Sequence, residues 1–84
     1  MEKLNFIIAK NLSELRRKNK LTQLEVAEKL NYSDKAVSKW EQGESLPGIE
    51  VLYKLAKLYG VSLDYIVGEK DAKSAVEIAK LNFN

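Results

Sequence analysis

Lys35, Ser38, Lys39 and Gln42 recur at steps of three, one and three residues in the stretch SDKAVSKWEQG, which begins at Ser33. At about 100° per residue these four share one face of a helix, while Val37 and Trp40 point to the other. The shared face carries ammonium, hydroxyl and amide groups, a row of hydrogen-bond donors with two cations among them. Such a row suits a partner rich in acceptors and negative charge, and the base edges of a DNA major groove are one such partner. A solvated hydrophilic face on an ordinary surface helix uses the same residues, so the pattern alone leaves both readings open.

Other chemistries have little to work with. The 84 residues include neither Cys nor His, so disulfides, thiolate metal sites and the commonest general base are all missing. The 12 acids are scattered rather than paired, and no Gly-rich loop is present to cradle a phosphate. An enzyme is therefore not expected, nor a metal or other cofactor. No run approaches the roughly 18 apolar residues that would span a bilayer. The start, MEKLNFIIAKNL, lacks the uninterrupted apolar stretch of a signal peptide. A soluble, cytoplasmic protein is the expectation. The net charge of +2 says little, but its distribution says more: residues 10–20 hold five positive charges against one acid.

The elements that must position these residues read as helices nearly throughout. Leu4, Ile8, Leu12 and Leu15 give a first helix over roughly residues 3–19. Thr22 and Glu25 form a capping box for a second, short helix that buries Val26, Ala27 and Leu30. Asn31, tolerant of positive φ, makes the turn, and Ser33 is a good N-cap for the third helix, which stops at Gly43. A fourth helix spans about 49–59 and ends at Gly60, and Ser62 caps a fifth that carries Leu63, Ile66 and Val67. No segment alternates long enough for a strand. The expected fold is all-α, a compact bundle of five short helices over residues 1–68. Residues 69–84 form an extension in which Ala72, Ala75, Val76 and Ala79 would line a sixth helix, serving dimerisation or fraying.

Two helices joined by Asn31, Tyr32 and Ser33 are the sequence form of a helix-turn-helix, whose second helix is held from behind and left free on one side. The run LTQLEVAEKLNYSDKAVSKWEQGESLPGIEVLYKLAKLYGVSLDYIVG resembles the Cro/CI-type (XRE) helix-turn-helix family of bacterial and phage repressors. The likeness covers about residues 5–68 and rests on a combination: Leu21-Thr22-Gln23, Ala27, Trp40-Glu41 with Gly43, Pro47, and Leu55-Ala56.

That resemblance implies a lambda-repressor-like DNA-binding domain and roles for particular positions. Lys35, Ser38 and Lys39 would read bases, with Asp34 beside them either accepting from cytosine N4 or, the preferred reading, capping the helix. Gln23, Ser33, Gln42, Gly43, Ser45 and Arg17 would meet the DNA backbone. Arg16 and Glu41 would form a structural ion pair through a bidentate fork. Trp40 belongs to the core rather than to a stacking platform, and Tyr53, Tyr59 and Tyr65 to packing or an interface. Gly48 replaces a side-chain cap before the fourth helix, and Leu24, where the family is often polar, is expected to be exposed. Double-stranded operator DNA and a second copy of the chain are the implied partners. Tyr65, Ile66 and Val76 are the candidate dimer surface. The implied function is a sequence-specific regulator, a repressor acting as a dimer on a pseudo-palindromic operator. A protein-interaction module on the same scaffold, such as an antitoxin, is the alternative.

Overall fold

The structure is a computed structural model that describes residues 3–68. Five helices follow in order: α1 (Leu4–Lys18), α2 (Gln23–Leu30), α3 (Asp34–Gln42), α4 (Ile49–Tyr59) and α5 (Leu63–Val67). The described residues contain no strand. The expected sixth helix, and with it Val76, lies outside the described residues.

Each boundary has a local cause. Thr22 Oγ1 accepts from the Glu25 amide while the Glu25 carboxylate accepts from the Thr22 amide, so the capping box that opens α2 is complete. The Thr22 backbone amide first, and the Thr22 side chain second, hold the Glu25 carboxyl below its ordinary value. Asn31 ends α2 in the left-handed region at φ 63°, a conformation that Asn tolerates better than most residues. Ser33 and Ser62 accept from the Ala36 and Tyr65 amides and open α3 and α5. Gly48 precedes α4 with no side-chain cap, as its lack of a side chain dictates.

The core runs between all five helices. Ile8, Leu12 and Leu15 on α1 meet Val26 and Leu30 from α2, Val37 and Trp40 from α3, Leu52 and Leu55 from α4, and Ile66 from α5. Complete burial of such a side chain contributes about 1.5–3 kcal/mol, so ten of them outweigh any surface interaction described below. Within this frame α3 packs on both α1 and α2, and α5 packs on α1 and α4. The helix carrying the donor row is therefore supported along its apolar side by two others.

Candidate nucleic-acid interface

Val37 and Trp40 are the buried residues of α3, at 2% and 6% exposure. The ring of Tyr32, from the turn, meets Trp40 edge-on with centroids 5.2 Å apart, so the indole is core and not a platform for bases. With that side anchored, Lys35, Lys39, Gln42, Asp34 and Ser33 are exposed and Ser38 is half-buried. The Gln42 amide donates to Ser38 Oγ at 2.9 Å across one turn of the helix. The four residues of the donor row thus share one outward surface.

Asp34 departs from the expected capping role. Ser33 Oγ takes the Ala36 amide, and the Asp34 carboxylate accepts no hydrogen bond among the described residues. It acts in the first turn by charge alone, favoured by the helix dipole.

Gly43 also corrects its expectation as a backbone contact. It is buried, its N–H donates to the Trp40 carbonyl, and its own carbonyl accepts from Asn5 Nδ2 at 2.6 Å. Its N–H, the one Gly43 group that could donate to a phosphate, is thereby taken. Gly43 instead ends α3 at φ 75° with the Phe6 ring so close that an added Cβ would lie 2.6 Å from it. Ser45 and Arg17 are exposed and remain available to a phosphate.

Behind α3 lies the ion pair. Arg16 Nε donates to both Glu41 oxygens, at 3.0 and 2.8 Å, and the Glu41 side chain is only 5% exposed. The geometry differs from the expected two-pronged fork: one N–H is shared by both oxygens, and Nη1 turns away to the Leu21 carbonyl at 3.0 Å. That carbonyl leads directly into the α2 cap, so one guanidinium ties α1, α3 and the entry to α2 together. The hydrogen bond to Glu41 raises the Arg16 pKa further.

Gln23 joins the same group. Its Nε2 donates to Glu41 Oε1 at 3.1 Å, which leaves one amide hydrogen and the carbonyl of the half-buried side chain. The Gln23 and Leu24 backbone amides meet no backbone carbonyl or side-chain acceptor among the described residues, as expected of a first helical turn and suited to an anion. Leu24 is 55% exposed, as its departure from the family pattern suggests.

Two of the three candidate dimer residues lie within the described range, and they differ. Tyr65 is half-buried, but Ile66 has 0% exposure and belongs to the core. Its position as the deepest residue of a five-residue helix overrides the surface role expected of it.

The sequence reading missed Asn11, the one buried polar side chain on α1, whose amide reaches carbonyls at the end of α5. The available signal was its spacing: Asn11 falls three residues after Ile8 and four before Leu15, inside the apolar stripe. Asn5 and Phe6 were missed as well, because contacts between the start of α1 and the end of α3 have no local signature.

The helix-turn-helix family model matches residues 12–66, which include all of α2, α3 and α4. The chain belongs to the helix-turn-helix family. The resemblance to its Cro/CI-type members is borne out by named relatives. This helix-turn-helix protein is 39% identical over 75 residues to the HTH-type transcriptional regulator ImmR of Bacillus subtilis (strain 168), a match covering 89% of this chain and 59% of ImmR. The HTH-type transcriptional activator BcrR of Enterococcus faecalis is 35% identical over 66 residues, or 79% of this chain and 32% of BcrR. The chain thus spans less than two thirds of either relative. Among solved structures, the P22 c2 repressor in complex with a synthetic operator superposes with a TM-score of 0.68 and 30% identity, covering 71% of this chain and 91% of that one.

Proposed function

We propose that this protein is a sequence-specific DNA-binding transcriptional regulator acting in the cytoplasm. In this reading it is a repressor that holds a pseudo-palindromic operator as a dimer. The observation that carries the reading is the outward row Lys35, Ser38, Lys39 and Gln42 on a helix whose opposite side is locked by Val37 and Trp40. A helix fits the major groove, and ammonium groups donate to guanine O6 and N7. Arg17, Ser33, Ser45 and the α2 N-terminus flank that row with groups suited to phosphate. The likeness to a repressor bound to its operator supports the same docking.

One recognition helix reads few base pairs, so two copies on half-sites about 34 Å apart supply the specificity. Repression follows from occupying promoter DNA. BcrR is named an activator, which fits a scaffold whose regulatory sign depends on where its site lies relative to the promoter.

The test is selection of bound fragments from a random DNA pool, followed by affinity measurements across salt. The expected product is a two-fold symmetric site whose affinity falls steeply with salt, by a slope of about 0.9 for each phosphate neutralised. Lys35→Ala with Lys39→Ala should abolish discrimination between the selected site and random DNA. Equal affinity for both DNAs in the unaltered protein, or a flat salt response, overturns the reading.

Leu24 favours one competing reading, because an exposed leucine on α2 suits a protein contact. An interaction module is the better description if the double lysine change leaves DNA affinity intact while Leu24→Asp abolishes activity.

A further inference from the structure

The burial of Ile66 removes that side chain from any interface and directs the search for a partner surface elsewhere. Three of the seven large exposed apolar side chains among the described residues fall together in sequence: Leu46 at 52% exposure, Ile49 at 72% and Tyr53 at 54%. Ile49 and Tyr53 lie one turn apart on the outer face of α4, and Lys57 continues the same line one turn later. Ile49 stands at the N-terminal end as a knob. At the C-terminal end Tyr53, Ala56, Val61 and Leu63, together with Lys57 and Asp64, line an open groove between α4 and α5.

Ile49 and Lys57, the groove residue farthest along α4, are separated by about eight residues of helix, or roughly 12 Å. A two-fold axis through Tyr53 would exchange their positions: Ile49 of one copy would arrive beside the partner's Lys57 and enter the groove there. The charges follow the same symmetry. Glu50 lies in the first turn of α4, in an exposed 3.4 Å ion pair with Lys54 one turn later, and Lys57 lies in the last turn. An antiparallel α4 pair therefore sets the acid of each copy against the base of the other, and a parallel pair would set like against like.

We infer that the outer face of α4 is a self-complementary surface for a second copy of this chain, with Ile49 seated in the partner's groove and Glu50 facing the partner's Lys57. An isologous contact of this kind closes on itself and gives a dimer, not a chain of subunits. It supplies the partner surface for the dimer proposed above and rests on that reading only for its biological purpose.

The test is sedimentation equilibrium of the 84-residue chain without DNA. Dimer mass is expected at tens of micromolar, with Ile49→Asp monomeric and unchanged in helical content. Glu50→Lys and Lys57→Glu should each weaken the dimer by about tenfold, and the two changes together should restore it, because the pairing is then reversed and not lost. A monomeric unaltered chain, a dimeric Ile49→Asp variant, or a double variant no better than the single ones overturns the inference. Binding to a single half-site separates this from the DNA reading. Ile49→Asp should bind a half-site normally and lose only the cooperative gain on the full site. A chain that dimerises as described yet binds no DNA sinks the DNA reading and leaves the α4 contact standing.

Discussion

Asn11 Nδ2 lies 2.8 Å from the carbonyl oxygen of Ile66, fifty-five residues later in the chain. The same nitrogen is 3.2 Å from the Tyr65 carbonyl and 3.1 Å from that of Gly68, so two amide hydrogens serve three acceptors. Helix ends leave carbonyls without partners, and α5 is too short to hide them by its own length. A side chain from α1 caps α5 from outside.

Asn11→Leu should therefore cost more than an ordinary surface change. The replacement keeps the branched shape and strands buried carbonyls, a loss of about 1–3 kcal/mol. Urea unfolding followed by circular dichroism measures it. A loss below about 0.5 kcal/mol would mean that water takes over the three carbonyls.

Arg16 and Glu41 should respond unequally to removal. Arg16→Ala leaves a nearly buried carboxylate without its cation, which costs about 3 kcal/mol or more. Changing both partners, Arg16→Met with Glu41→Leu, replaces charge by packing and should recover most of that loss. A double variant as unstable as Arg16→Ala would show that Leu21 and Gln23, which share the network, depend on the pair for their own positions.

Gly43→Ala separates two effects that coincide at one residue. Positive φ for a residue with a Cβ costs about 1–2 kcal/mol. The close atoms belong to the Phe6 ring, which is 50% exposed and free to swing aside, so the steric part should be small. Adding Phe6→Ala to Gly43→Ala should therefore recover little stability in thermal unfolding. Full recovery would assign the effect to the ring instead.

Tyr59 gives a pH signature. Burial first, and then the nearby Glu41 carboxylate, pushes its hydroxyl up to about 12. The folded state holds that proton more tightly than the unfolded chain, whose tyrosine titrates near its ordinary value of 10.0. Stability from this group is present in full below about pH 10 and is lost as the pH rises toward 12. Tyr59→Phe should flatten the urea midpoint over that window. An unchanged slope would place the alkaline loss on other groups.

The helices were legible because their signals are local. Thr22 with Glu25, Ser33, Asn31 and Gly43 each act within one turn of their own position, and each works as its residue type requires. The donor row was legible for the same reason, since helical spacing decides which side chains share a face. Arg16 with Glu41 could be paired only through the family resemblance, and the bond geometry still differed: the Leu21 carbonyl competes for the guanidinium in a way that spacing does not show. Ile66 was misplaced because a five-residue helix has no reliable inner face until its neighbours are known. Asn5, Phe6 and Asn11 make contacts 37 to 57 residues away, and nothing in their immediate surroundings announces such reach.

The 2.9 Å bond between Gln42 and Ser38 bears on how selectively α3 can discriminate. An amide hydrogen already bonded at home gains little by moving to an equally good acceptor outside, because one bond is merely traded for another. Only a ligand that offers Gln42 two well-placed partners at once, or gives the abandoned hydroxyl a new one, returns a surplus. In the docking proposed above the pair would work as a threshold: near matches would leave it closed, and a target with the right arrangement of acceptors would open it.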